Sequence, residues 1–146
     1  MLTVRDLIRT KDSQQIWSIS PDSTVYEALQ QLAEKKVGAL LVMREGIIDG
    51  ILSERDCVRK VDLEDKTSRD VKVSEIMTSH VLYIDISQPL EECMAVMTEK
   101  KVRHLPVFDG PNLVGIISVG DVLKEIISDQ KFMIDQLSRY ITGGER

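Results

Sequence analysis

The chain has 146 residues, of which 42% are hydrophobic and 29% charged, and a formal net charge of −5. That length fits one compact domain or two intimate half-domains, and the negative charge argues against generic binding of nucleic acid or anionic membranes. No apolar run approaches the roughly 18 residues needed to span a bilayer. Arg5, Asp6 and Arg9 interrupt the first apolar residues, which reads against a signal-peptide core.

In chain order, Thr3-Val4-Arg5-Asp6 has the form of a capping box, with Asp in place of Glu, and predicts a short helix to about Arg9. Residues 11–15 are polar and read as a loop. Residues 16–19 predict a strand, closed by the turn cluster Ser20-Pro21-Asp22-Ser23. Thr24, with Glu27 three residues on, starts a helix whose Val25, Ala28, Leu29, Leu32 and Ala33 fall on one apolar face. Lys35 and Lys36 end it as helix-terminal cations. Residues 37–43 and 47–52 predict a hairpin around Arg44-Glu45-Gly46, with both strands buried on both faces. Ser53 caps another helix, which fades near Val61, and the charged, non-periodic stretch 62–70 reads as a linker.

Then the pattern restarts. Val73-Ser74-Glu75-Ile76-Met77 echoes Val4-Arg5-Asp6-Leu7-Ile8. A strand is predicted over 81–84, and Pro89 opens a helix with Leu90, Cys93, Met94 and Met97 on one face. A hairpin follows over 102–108 and 113–117. From residue 19 to residue 60 the halves align without a gap at an offset of 65, including Lys36/Lys101, Leu40/Leu105, Val42/Val107, Gly50/Gly115, Ser53/Ser118 and Asp56/Asp121. The expected fold class is therefore α/β (α+β), a duplicated βαββα unit. In chain order the expected divisions are 1–70 (first repeat with N-terminal helix and linker), 71–128 (second repeat) and 129–146 (C-terminal helical extension). The last helix should run from near Val119 to Ile141, stopped by Gly143-Gly144, with Val122, Leu123, Ile126 and Ile127 facing the core. Met133, Ile134, Leu137, Tyr140 and Ile141 extend an apolar stripe beyond the repeat. Such a stripe predicts packing on a second subunit, ahead of packing back on the same chain.

Chemistry concentrates where each second hairpin strand meets a helix. Ser53-x-x-Asp56 and Ser118-x-x-Asp121 are near capping boxes, a purely structural role. They also sit at helix N-termini, where free N–H groups and the dipole favour phosphate, and a carboxylate there can accept the two hydrogens of a ribose diol. Arg103 and His104 precede a strand of the second repeat and supply phosphate-type donors, where the first repeat has Gly38-Ala39. Arg55 is a further cation beside Asp56. Cys57 and Cys93 read as buried reduced thiols, which fits a cytoplasmic setting. His80 has no identifiable partner. No zinc set or catalytic constellation emerges from two histidines and two scattered cysteines, so neither a metal centre nor an enzyme is expected.

This pattern resembles the cystathionine β-synthase (CBS) domain in its tandem pair. The marks are Ile19-Ser20-Pro21, Val37-Gly38-Ala39-Leu40-Leu41-Val42, Lys101-Val102-Arg103-His104-Leu105-Pro106-Val107 and the two Gly-x-x-Ser-x-x-Asp stretches. The resemblance, closest to stand-alone CBS-pair proteins, implies one pseudo-two-fold module, a flat homodimer, and an inter-repeat cleft for adenosyl ligands: AMP, ADP, ATP, NAD(H) or S-adenosylmethionine. Residue by residue, it implies that Asp121 and Asp56 hold ribose hydroxyls and that Ser118 and Ser53 touch ribose or phosphate. Ile19-Ser20-Pro21 would line one adenine pocket and Ile84-Asp85-Ile86 the other, with Ile86 standing where the first repeat has Pro21. The expected function is an adenine-nucleotide sensor, AMP foremost, that passes ligand state to an unidentified regulated protein. The alternative is a ligand-independent dimerisation or protein-interaction module.

Overall fold

Helix α1 (Val4–Thr10) opens the chain. Then come β1 (Ser18–Ile19), α2 (Val25–Lys35), β2 (Ala39–Arg44), β3 (Ile47–Ser53), α3 (Glu54–Cys57) and α4 (Val73–Ile76). The second half holds β4 (Ile84–Asp85), α5 (Leu90–Lys100), β5 (His104–Asp109), β6 (Asn112–Ser118) and α6 (Val119–Ile141). This computed structural model describes residues 1–10 and 16–141. The expected loop at 11–15 and the Gly143-Gly144 stop lie outside the described residues. Those described form two units, 16–82 and 1–10 with 83–141.

Each unit has a three-stranded sheet, β1-β2-β3 or β4-β5-β6, with one parallel and one antiparallel pairing. The offset of 65 holds in the hydrogen-bond register. Ile19 opposes Val42 as Ile84 opposes Val107, and Ala39 opposes Ser53 as His104 opposes Ser118. Even the register irregularity repeats, at Val42/Met43 and Val107/Phe108. The first strand of each sheet is shorter than its apolar run suggests, because only Ser18–Ile19 and Ile84–Asp85 enter the ladder.

In the unit of residues 16–82, α2 starts on a capping box. The Thr24 hydroxyl accepts from Glu27 N–H at 3.1 Å, and Glu27 Oε1 accepts from Thr24 N–H at 3.2 Å. Val25, Ala28 and Leu32 are buried against Leu40, Val42 and Leu52. Ala33, expected inside, is exposed. At about 100° per residue it lies about 80° around the helix from Val25, past the edge of the stripe. Only β2 is buried on both faces, over Ala39–Val42, because it is the central strand. β3, expected to match it, is an edge strand and keeps one half-open face. After α3 the helix widens into an i→i+5 turn, Leu63 N–H donating to Val58 C=O at 2.9 Å.

Chain order and spatial order differ. By chain order α1 goes with the first repeat; in space its Val4, Leu7 and Ile8 join the core of Ile84, Leu90, Leu105, Val107 and Ile117. Val4 and Arg5 N–H donate to the Gln88 and Ile86 carbonyls, both at 2.9 Å. Conversely α4, expected with the second repeat, docks on the first. Val73 N–H donates to Ser23 C=O at 2.8 Å and Ser74 N–H to Pro21 C=O at 3.0 Å. In both cases N–H groups that a helix start leaves unsatisfied find turn carbonyls. The docked segments explain a matched glycine pair. A Cβ at Gly50 would stand 2.7 Å from Met77 Sδ and 2.8 Å from the Thr78 carbonyl oxygen; at Gly115 it would stand 2.9 Å from Ile8 Cδ1.

In the other unit, α6 places Val119, Val122 and Ile126 on the core. Leu123 and Ile127, expected there as well, are exposed. The core accepts a stripe one side chain wide at each turn, and these two lie beyond its edge.

Candidate functional site

Each candidate junction is built by one strand end and one helix start. Ser53 ends β3 in an extended conformation and caps α3. Asp56 Oδ2 accepts from Ser53 N–H and from the Ser53 hydroxyl, both at 3.1 Å, and Ser53 Oγ accepts from Asp56 N–H at 3.1 Å. At the second junction Asp121 Oδ2 accepts from Ser118 N–H at 2.9 Å, and Ser118 Oγ accepts from Asp121 N–H at 3.1 Å. The capping expectation therefore holds in both copies. A carbonyl from the preceding hairpin strand clamps each corner. Glu54 N–H donates to Gly38 C=O at 3.1 Å, and Val119 N–H to Arg103 C=O at 2.9 Å.

That clamp brings Arg103 and His104 to Ser118 and Asp121. His104 directly opposes Ser118 in the ladder, which puts their Cβ atoms about 5 Å apart on one face. Arg103 is exposed, while Ser118, Asp121 and His104 are half-buried. At the first junction the same positions are Gly38 and Ala39. Its cations come from the helix instead: Arg55 is exposed on α3, and Lys60 Nζ lies 3.5 Å from Asp56 Oδ1. Lys60 also donates to the Ile76 carbonyl at the end of α4, at 3.0 Å. The residue matching Lys60 is Glu125, which accepts from the Thr10 hydroxyl of α1 at 2.9 Å. Sequence reasoning missed Lys60, although its i+4 spacing from Asp56 on a helix was the available signal.

The expected adenine-lining stretches lie elsewhere in their own units. Ile19 pairs with Val42 and Ser53 with Ala39, so Ile19-Ser20-Pro21 and Ser53 flank opposite ends of β2. They are about 10 Å apart along that strand. Ile84-Asp85-Ile86 and Ser118 flank β5 in the same way. Pro21, Ile84 and Ile86 are buried, Ile19 and Asp85 half-buried and Ser20 exposed. The two turns use matched positions with the residue types exchanged. Asp22 N–H donates to Ser20 Oγ at 3.2 Å, whereas Ser87 donates to Asp85 through both hydroxyl and backbone. The Ser87 hydroxyl, with its backbone N–H, holds the Asp85 carboxyl below its ordinary range. Ile86, standing where Pro21 does, donates its N–H to Phe108 C=O at 2.9 Å, a bond proline lacks.

Burial first, then neighbouring acids, pushes the Cys57 and Cys93 thiols up to about 11, which leaves them protonated and unreactive at neutral pH. Among the described residues no three His, Cys, Asp or Glu side chains form a metal-holding group. No helix among them is long and apolar enough to cross a membrane.

The CBS-domain family model matches residues 4–63 and 73–128. The chain belongs to the CBS-domain family. It is 31% identical to the mitochondrial CBS domain-containing protein CBSX3 of Arabidopsis thaliana, over 97% of this chain and 73% of that one. Among solved structures, a CBS-domain protein of Burkholderia ambifaria MC40-6 superposes with a TM-score of 0.85 at 45% identity, covering 88% of this chain and 96% of the other. CBSX2, solved in complex with AMP, superposes with a TM-score of 0.73 at 26% identity, covering 88% and 98%.

Proposed function

We propose that this chain is a regulatory CBS module that binds an adenosyl ligand and passes its ligand state, as a homodimer, to a partner protein. AMP is the first candidate; ADP, ATP, NAD(H) and S-adenosylmethionine are the others. The reading assigns the chain no catalysis. One observation carries it. The strand–Ser-x-x-Asp–helix junction occurs twice in the same backbone geometry, and in one copy Arg103 and His104 stand beside it. An ionised carboxylate offers about four lone-pair sites, so an Asp that caps its helix retains acceptor capacity for ribose hydroxyls. Arginine and a protonated histidine suit phosphate. The AMP complex of a CBS-family structure supports the ligand class. The Asp121 junction is the better equipped for phosphate, since Arg103 and His104 stand on its strand side where the first repeat has Gly38 and Ala39.

The test is thermal melting with AMP, ATP, NADH and S-adenosylmethionine. Ligand at about 100 times its Kd adds about 2.7 kcal/mol to stability, a shift of several degrees for a chain of this size. Asp121→Ala should remove the shift at its site and leave the fold in place, at the cost of one helix cap. The second reading is a ligand-independent interaction module. It is favoured by the capping bonds, which already engage Ser53, Asp56, Ser118 and Asp121. A flat response to all four compounds would replace the first reading with the second.

A further inference from the structure

Met77 plugs a pit left by a missing side chain. It follows α4 directly, and its half-buried side chain packs on the core of the unit of residues 16–82. A Cβ at Gly50 would stand 2.7 Å from Met77 Sδ and 3.0 Å from its Cγ, so the thioether fills the space that a larger residue at position 50 would need. The next residue ties the segment to β3. Thr78 N–H donates to Ile51 C=O at 2.9 Å, and Ile51 N–H donates to Thr78 C=O at 3.0 Å. The other unit has the same pit at Gly115, plugged by Ile8. One plug carries a sulfur and the other does not. We propose that Met77 is a site of reversible oxidation by peroxides, and that its sulfoxide undocks α4 and residues 77–78 from β3.

The reaction is an oxygen transfer. The Met77 sulfur attacks one peroxide oxygen, an S–O bond forms and the O–O bond breaks. Sulfur loses two electrons, and the peroxide is reduced to water or, from an alkyl hydroperoxide, to the alcohol. A half-buried side chain is open to so small an oxidant, whereas Met97 is fully enclosed.

The product fits the pit poorly. A thioether is nearly apolar and a weak acceptor, while a sulfoxide adds a heavy atom and a strongly polar oxygen. On the Gly50 side that oxygen meets a backbone which leaves no room even for a Cβ. Donors around the contact are engaged. Met77 N–H donates to Val73 C=O at 3.0 Å, the Thr78 and Ile51 amides bond each other's carbonyls, and Lys60 Nζ bonds the Ile76 carbonyl at 3.0 Å. Burying the new oxygen without a donor is unfavourable, and turning it to solvent lifts the side chain out of the pit. Helix α4 has only 4 residues, too few to persist without docking. Its own bonds to the 20–23 turn, Val73 N–H to Ser23 C=O at 2.8 Å and Ser74 N–H to Pro21 C=O at 3.0 Å, should therefore open with it. Methionine sulfoxide reductases reverse the change, one enzyme for each epimer at sulfur. Two thiols are oxidised to a disulfide and the oxygen leaves as water. The inference goes beyond the reading above and does not depend on nucleotide binding, so a failed melting shift leaves it standing.

Peptide mapping by mass spectrometry and amide hydrogen exchange of the full chain, before and after hydrogen peroxide, test it. Met77 should gain one oxygen, and the Ile51, Val73, Ser74 and Thr78 amides should then exchange at least about tenfold faster. Treatment with both reductases should restore the original rates. Met1 and Met133 are exposed, belong to neither core and will oxidise as well. Met77→Ile, which imports the residue found at the matched plug, keeps those two and should show no acceleration after peroxide. If Met77→Ile does not fold, Met77→Leu, close in volume, takes its place. Four results would each overturn the proposal: Met77 left unmodified when Met133 is fully converted, complete conversion of Met77 with unchanged exchange, the same acceleration in the folded variant, or a Met77 sulfoxide that neither reductase removes.

Discussion

In the unit of β1–β3, Asp56 caps its helix and meets Lys60, which also holds the carbonyl end of α4. In the unit of β4–β6, Asp121 caps its helix in the same way, but the residue one turn on is Glu125, tied to Thr10 of α1. On the strand side stand Arg103 and His104, where the first unit has Gly38 and Ala39. Backbone geometry has been kept through the duplication while the charges around it have been redistributed. One acid has a cation on its own helix; the other has an acid at that helix position and an arginine and a histidine on the neighbouring strand segment. A duplicated fold can thus carry two differently charged junctions on one strand register.

The largest expected difference between the halves lies at the matched glycines. Gly50→Ala drives a Cβ against the Thr78 carbonyl as well as Met77 Sδ, whereas Gly115→Ala meets only the terminal methyl of Ile8. A backbone atom cannot rotate away. Gly50→Ala should cost about 1–3 kcal/mol in urea denaturation and Gly115→Ala less than about 1 kcal/mol. Equal losses would mean that the docked segments yield equally, and this part of the comparison would fail.

Next comes a pH effect that the repeat does not share evenly. Cys57 matches Val122, and Cys93 matches Ala28. The native thiols titrate at about 11, above their ordinary 9.0. The unfolded chain therefore loses these protons first. Their contribution to stability is complete below about pH 9 and fades as pH rises toward about 11. Denaturant midpoints measured across that window should fall, and Cys57→Val, which imports the matched residue, should flatten part of the slope. An unaltered slope would place its origin elsewhere.

Ser53→Ala and Ser118→Ala should each cost about 1 kcal/mol through the lost cap. Near-equal values would sharpen the claim that the backbone junctions are equivalent. The smallest effect belongs to the divergent pair. Lys60→Met should cost about 0.2–1 kcal/mol for the ion pair, a part that shrinks in high salt, while the lost bond to the Ile76 carbonyl is salt-insensitive; Glu125→Gln, which keeps an acceptor for Thr10, should be close to neutral. A large, salt-insensitive loss at Glu125 would reverse the assignment of roles.

Much of this architecture was legible because local signals and the repeat agreed. Thr24 with Glu27, the hairpin turns and the paired Ser-x-x-Asp stretches each specify their own geometry within a few residues, and the fixed offset doubled every such signal. What stayed illegible was long-range. Nothing in Val4-Arg5-Asp6-Leu7-Ile8 says which sheet it joins, because either repeat offers the same turn carbonyls and the same glycine. The lengths of β1 and β4 depend on how far a neighbouring strand runs, which their own side chains do not encode. On α6, Leu123 and Ile127 looked like core because apolarity alone does not say how wide a stripe the core will accept. At the candidate site, Arg103 and His104 could be named from sequence, but their place opposite Ser118 required the ladder register.

The crossed docking of α1 and α4 also bears on how the chain is made. As it leaves the ribosome, residues 16–82 can close their core in one stretch, since α4 follows directly on the strands it covers. The first helix cannot. Val4, Leu7 and Ile8 belong with Ile117 and Val122, so that helix must wait for its core until Ile117 and Val122 have been synthesised. At about 5–20 residues per second the wait lasts on the order of 10 seconds. During that interval the emerging chain presents an unclaimed helix on one side and a finished half on the other.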